Sequence, residues 1–211
     1  MGRPRKFDET HVLTAVMNMF WQRGYEATST RELAESTGMG LSSLSNAFGD
    51  KRQLYLRALR RYYETNTAIQ TELLGQPGPV NDRLRNLMVQ AIDIDLADPP
   101  SSGCLIINAS MEMANTDPDV AQEVQRHFTT VEQAVHSALA EGQRSGEITR
   151  EQDAVALTHH VLSSYYGLRV LARVRPDRAA LMNVVDTMLA TVTSHAPRRE
   201  PVRGPDPDLT D

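Results

Sequence analysis

The sequence predicts an all-α protein: an N-terminal helix-turn-helix head of three short helices, followed by a helical body. Three observations predict it. Apolar residues recur three and four apart along most of the chain, strand-type alternation is absent, and the breaks fall at glycine and proline clusters flanked by helix-capping residues. At 211 residues the chain has room for one sizeable domain or two modest ones. A hydrophobic content of 40% with 5% aromatic residues suits a soluble helical protein. The expected organisation is a basic arm over 1–6, the head over 7–53, the body over 54–196 and a disordered tail over 197–211, which carries four prolines among alternating charges.

The first helix leads through Phe20, Trp21, Gln22 and Arg23 to Gly24 and Tyr25. The next opens on Ser29 as N-cap with Glu32 three residues on, a reciprocal pair that satisfies two orphaned backbone donors. Leu33 and Ala34 give it a small apolar face. Gly38 stands where a helix ending in the left-handed conformation needs a residue without a β-carbon. A helix of about eight residues follows, with Leu44, Ala47 and Phe48 spaced to face inward and Ser42, Ser43, Ser45 and Asn46 outward. Two short helices around a glycine turn, the second presenting small polar side chains, are the grammar of a DNA-reading head. Asp50 caps the next helix with Gln53 at the box position, which sets Lys51 beside a helix N-terminus able to hold a phosphate oxygen.

From Phe7 to about Leu59 these motifs, with Ala27-Thr28-Ser29, Glu32-Leu33-Ala34, Gly38-Met39-Gly40 and Phe48-Gly49-Asp50-Lys51-Arg52-Gln53-Leu54, resemble the TetR family of one-component transcriptional regulators. The resemblance implies a homodimeric regulator that binds a double-stranded operator and answers to a small-molecule effector. Thr30, Arg31, Gly40, Leu41, Ser42, Ser45, Asn46 and Lys51 are the residues expected on DNA. Two positions depart from the family pattern. Ser45 stands where a tyrosine is usual and reaches less far toward the backbone, and Leu41 replaces a polar or basic residue, so that it either meets a thymine methyl or covers the turn.

Arg3 and Arg5 belong to an extended basic segment, Gly2-Arg3-Pro4-Arg5-Lys6, suited to the negative potential of a narrow minor groove. Charge is divided along the chain. Ten Lys or Arg against six Asp or Glu give +4 through Arg61, while 12 against 21 give −9 beyond it. Attraction for phosphate is therefore concentrated at one end, and the acidic body opposes indiscriminate binding.

Beyond the head, Lys51 to about Leu74 reads as one long connecting helix, stopped by Gly75 and Pro77-Gly78-Pro79. Further helices are expected over Asn81 to Ala97, Cys104 to Ala114, from Asp117-Pro118 to about Gly142, Glu151 to Arg173 and Asp177 to Ser194. The last two are expected to build a two-fold interface. Leu181, Val184, Val185, Met188, Leu189 and Val192 form a stripe in one, and Val155, Leu162, Tyr165, Tyr166 and Leu168 surround Gly167 in the other. A two-fold dimer implies a palindromic operator, its half-sites about 34 to 36 Å apart.

The effector is expected among Tyr62, Met88, Ile92, Cys104, Asn108, Met111, Phe128 and Tyr165, each of which also fits a plain core. With Leu87, Ile107 and Val131 they suggest a small, mostly apolar ligand with one or two polar handles. Cys104 is the single cysteine, so an internal disulfide is excluded. Its place near a helix N-terminus favours a thiolate, and Gly103-Cys104-Leu105-Ile106-Ile107-Asn108 resembles a segment of the electrophile-responsive, NemR-like branch of the family. The alternatives are a thiol sensor through Cys104, a small buried hydrophobe there, or a small-molecule-binding helical protein with an impaired head.

No enzyme is expected. There is no phosphate loop, His-Glu-x-x-His or nucleophile elbow, and the adjacent His159 and His160 point about 100° apart on a helix, so they cannot chelate one ion together. No cofactor, metal or membrane partner is implied. Without an apolar run of spanning length or a leader, a cytoplasmic protein is expected.

Overall fold

The computed structural model describes residues 7–97 and 103–193. Arg3 and Arg5 of the arm, Ser194 and the proline-bearing tail lie outside the described residues. Among those described are ten α-helices, one π-helical turn and an isolated antiparallel bridge between Ile148 and Thr193. No helix there is long and apolar enough to cross a membrane.

Local chemistry sets the head. The Asp8 carboxylate accepts from the Thr10 and His11 amides to start α1 (Glu9–Arg23), which ends at Gly24 with φ 83°. The reciprocal Ser29–Glu32 box starts α2 (Thr30–Thr37), and Gly38 ends it in the left-handed conformation at φ 66°, ψ 13°. Helix α3 (Leu41–Phe48) follows after two residues, and the Asp50–Gln53 box starts α4 (Lys51–Tyr62). Val16 and Phe20 of α1, Leu33 of α2, Leu44 and Phe48 of α3, and Leu54, Tyr55 and Leu59 of α4 close a shared core. Each large apolar side chain buried there contributes about 1.5–3 kcal/mol.

That core does not stop where the head was expected to stop. It runs along α4 to Tyr62 and takes in Cys104, then Leu105, Ile106 and Ala109 of α7 (Leu105–Glu112) and Val120 and Val124 of α8 (Pro118–Ser145). Packing thus makes α7 an extension of the head.

The single connecting helix expected from Lys51 to Leu74 is interrupted. A π turn over Tyr63–Thr67 separates α4 from α5 (Ala68–Gly75). Hydrogen bonding from i to i+5 turns residues five apart toward one side. Tyr62 and Thr67 are accordingly both buried against the body, at 0% and 1% exposure. Periodicity in the sequence cannot reveal the extra residue, because α and π turns use the same side chains.

The body core joins α5 and α6 (Val80–Ala97) to α8, α9 (Ala154–Val174) and α10 (Arg178–Val192). Helix α8 begins at Pro118 under the Asp117 cap and runs three residues past Gly142, ending at Gly146. At Gly142 an added β-carbon would lie 2.3 Å from Ile148 Cγ1. Asp153 caps α9, so this helix starts at Ala154 rather than Glu151.

The expected interface stripe on α10 needs correction. Leu181, Val185, Met188, Leu189 and Val192 are all buried within this one chain, as are Tyr165 and Leu168 of α9. They are committed to the monomer core because α10 lies across α6 and α9 and turns its apolar face inward. What α9 leaves outside keeps Val155 and Gly167 of the expected set and adds Val170, Leu171 and Val174.

Candidate DNA-reading face and regulatory cleft

Helix α3 presents Leu41, Ser42, Ser43, Ser45 and Asn46 to solvent while Leu44 and Phe48 hold it to the core. Thr30, Arg31 and Gly40 are exposed beside them. Arg31 Nε donates to Glu35 at 3.0 Å from a position that leaves most of its side chain in water. Leu41, 51% exposed, does not cover the turn and is free for a groove contact. Lys51 is half-buried: its Nζ stands 4.3 Å above the Tyr25 ring and 3.5 Å from the Glu26 carbonyl, at the N-terminus of α4. All eight described residues expected on DNA therefore lie on α2, α3, their turn and the start of α4.

The head is fastened to the body by polar contacts in sequence order. Trp21 Nε1 donates to the Gly103 carbonyl at 2.7 Å. The amides of Tyr25 and Glu26 each donate, at 2.8 Å, to one oxygen of the Glu112 carboxylate. The Arg52 guanidinium donates to both oxygens of Asp117 at 2.6 and 2.7 Å and to Asp119 at 2.7 Å. These hydrogen bonds hold the Asp117 carboxyl below its usual range and raise Arg52. Asp117 also caps α8, so one carboxylate joins α4 to the start of the longest helix.

Between α1, α7 and the last turns of α9 lies a cleft of about 420 Å³. Ile107, Met111, Val170 and Val174 give it apolar walls, and Arg23, Asn108, Glu112, Arg169 and Arg173 give it polar ones. Cys104 and Gly103 form part of the lining too. Arg173 donates to Asn108 Oδ1 at 3.0 Å. Arg169, 4% exposed, is engaged by a bidentate pair with buried Asp95 at 3.0 and 2.7 Å and also donates to the Gly103 carbonyl at 3.2 Å. The Gly103 carbonyl thus receives donors from the head and the body at once.

Cys104, 2% exposed, is the N-cap of α7, and its Sγ lies 3.5 Å from the Tyr62 hydroxyl. Beyond it, aromatic rings pack edge to face: Phe128 on Tyr166 with centroids 4.8 Å apart, Tyr165 on Tyr166 at 5.2 Å, and His127 against Phe128 at 5.8 Å. His127 Nδ1 shares a 2.7 Å hydrogen bond with Thr67 Oγ1 in the π turn. Burial lowers this imidazole to about 4 and pushes the Tyr62 and Tyr166 phenols upward.

Of the residues expected around an effector, the cleft brings together Cys104, Asn108 and Met111. Tyr62, Phe128 and Tyr165 belong instead to the aromatic cluster behind Cys104, while Met88 and Ile92, both 0% exposed, are core. Arg23, Glu112, Arg169 and Arg173 in the cleft, and His127 in the cluster, were not expected. His127 had a legible signal: a histidine at an inward position between Val124 and Val131. Arg169 and Arg173 had none, since their partners are 65 to 74 residues away.

A head of this form, with a polar recognition face and a fastened helical body, defines a helix-turn-helix DNA-binding regulator. The protein belongs to the TetR family of bacterial transcriptional regulators. Residues 12–58 match the family model described as bacterial regulatory proteins, tetR family, and residues 67–188 match the tetracyclin repressor-like C-terminal domain. An uncharacterised HTH-type transcriptional regulator of Bacillus subtilis, YezE, is 32% identical over 91% of this chain and all of its own. The transcriptional repressor ComR of Escherichia coli is 28% identical over 89% of this chain and 90% of its own. Among solved structures, the regulator CifR bound to a 26-bp operator superposes with a TM-score of 0.78 at 25% identity, covering 89% of this chain and 98% of that one. The protein is a DNA-binding transcriptional regulator and not an enzyme.

Proposed function

We propose that the protein is a repressor that binds a palindromic operator as a two-fold dimer and leaves it when a small molecule occupies the body. The observation that carries this is the fastening of the head to α7: Glu112 holds the amides after α1 and, with Ile107, Asn108 and Met111 of the same helix, lines the cleft. Filling the cleft displaces a helix that already belongs to the head's core. The repressor relatives support repression, and CifR's operator complex supports the docking of α3 in the major groove. Thr30, Arg31, Gly40, Leu41, Ser42, Ser45, Asn46 and Lys51 carry the DNA contacts.

Dimerisation uses the outward faces of α9 and α10. Gly167 has open space around its α-carbon, which permits close helix approach, and Val170, Leu171 and Val174 extend an apolar strip from it. A shallow groove lined by His160, Ser164, Asn183, Val184, Thr187 and Met188 lies between the two helices. Two copies pairing there form a four-helix interface.

Selection of bound duplexes from a random DNA pool by the purified protein tests the reading. A palindromic consensus is expected, and its absence counts against a dimeric operator reader. A second reading, thiol sensing, is favoured by one observation: Cys104 stands in the cleft wall beside the Tyr62 hydroxyl. Mass spectrometry after mild electrophile treatment decides it, since a sensor is modified and releases DNA whereas a core thiol does neither.

A further inference from the structure

Two helix flanks line the cleft, and their sequences match row for row. Ile107, Asn108, Met111 and Glu112 come from α7, and Arg169, Val170, Arg173 and Val174 from α9, with the same spacing in both sets. The polar rows meet, since Arg173 donates to Asn108 Oδ1 at 3.0 Å, and the apolar rows supply the remaining walls. Met111 is the most exposed large apolar side chain among the described residues, at 81%. Charge in the lining is matched at every group but one. Arg169 pairs with buried Asp95, Arg23 pairs with Glu32, and both Glu112 oxygens accept backbone amides. Arg173 has a single hydrogen-bond partner among the described residues, the neutral Asn108 amide oxygen.

We propose that the cleft takes a small monocarboxylate, its carboxylate on Arg173 and its apolar body on Ile107, Met111, Val170 and Val174. The inference rests on the reading of the protein as a ligand-released regulator and adds the chemistry of the ligand. A guanidinium offers parallel N–H donors that fit the two oxygens of a carboxylate. One unmatched cation answers one negative charge, whereas a dianionic phosphate would bring a second charge toward Glu112 with no cation left for it. At about 420 Å³ the cleft lies at the low end of the range of about 300–1,000 Å³ usual for small-molecule sites. The body is therefore a ring or a short branched chain, held at the edge of the α9 strip assigned above to dimerisation.

Arg23 gives the site a route to DNA. It ends α1, lines the cleft and pairs with Glu32, the carboxylate that accepts from the Ser29 amide and hydroxyl at 2.8 and 2.7 Å to cap α2. A ligand carboxylate in the cleft competes with Glu32 for Arg23 and repels Glu112, which holds the Tyr25 and Glu26 amides. Both contacts bound the loop that sets α2 against α1, so the filled cleft favours a different placement of the recognition face.

Titration calorimetry on the full chain without DNA tests the site. Phenylacetate carries the anion on an apolar ring, phenylacetamide is its uncharged counterpart and acetate is the anion without a ring. Phenylacetate is expected to bind, the other two at least tenfold more weakly. R173Q removes the charge at an exposed position and should weaken phenylacetate tenfold or more with an unchanged melting temperature, while R173K should retain part of the binding. M111D, which sets a negative charge on the apolar wall, should weaken it as well. Equal binding of phenylacetamide, undiminished binding in R173Q, or no binding of phenylacetate overturns the proposal. Arg173-dependent binding that leaves operator affinity unchanged supports the site and overturns the ligand-release reading instead. Release of the operator by an uncharged molecule, with no binding of phenylacetate, overturns the proposal and leaves that reading standing.

Discussion

Glu112, the last residue of α7, holds the backbone amide of Tyr25, which follows α1, at 2.8 Å, with the neighbouring Glu26 amide on its other oxygen at the same distance. One carboxylate thereby caps the loop that leads into α2, from a residue that also lines the cleft. An added β-carbon at Gly24 would lie 3.1 Å from the same carboxylate, so the loop approaches as closely as glycine allows.

Replacing Glu112 by alanine leaves two exposed amides to water, and hydrogen bonds to a charged acceptor contribute about 1.5–3 kcal/mol each at most. Faster exchange at Tyr25 and Glu26 and weaker operator binding are expected, with the body unchanged. Hydrogen exchange followed by mass spectrometry reads the first and a gel-shift titration the second; unchanged operator affinity would show that the clamp does not position the head.

Asp95 and Arg169 form a charge pair with side chains 2% and 4% exposed. Asp95→Ala leaves a guanidinium buried without its counter-charge, at a cost of about 3–5 kcal/mol. A double replacement, Asp95→Leu with Arg169→Leu, removes both charges and should recover much of the loss. Urea denaturation of the three proteins gives the comparison, and a single variant as stable as wild type would contradict the burial of the pair.

His127 makes stability depend on pH. Its imidazole titrates at about 4 in the folded protein against an ordinary value of about 6.5. Between those values the unfolded chain binds a proton that the folded one refuses, so stability rises with pH across that window and is lost as pH falls from about 6.5 to about 4. The full difference corresponds to about 3 kcal/mol. In His127→Gln the urea midpoint should lose this part of its pH dependence, and an unaltered profile would place the titration elsewhere.

On DNA, Lys51→Ala should weaken binding to every duplex and flatten the salt slope by about one unit, as expected for the loss of one phosphate contact. Ser42→Ala and Asn46→Ala should instead alter sequence preference, because both side chains stand on the exposed face of α3. Titrations on specific and random duplexes at several salt concentrations separate these effects. Equal losses on both duplexes for Asn46→Ala would remove it from base reading.

The sequence by itself determined the all-α class, the capping boxes at Ser29–Glu32 and Asp50–Gln53, the left-handed turn at Gly38 and the outward face of α3. All of these are short-range: a cap reaches three residues, a turn two, and a recognition face repeats every three or four. Only the tertiary structure decided the rest. Leu181 to Val192 of α10 were apolar in either setting, and it took the packing of α10 against α6 and α9 to assign them to the core. The Glu112 clamp, the Asp95–Arg169 pair and the Thr67–His127 contact join residues 60 or more apart in the chain, from Thr67–His127 at 60 to Tyr25–Glu112 at 87. Partner choice at such distances depends on how whole helices lie against one another, and a helix-forming sequence does not state that locally.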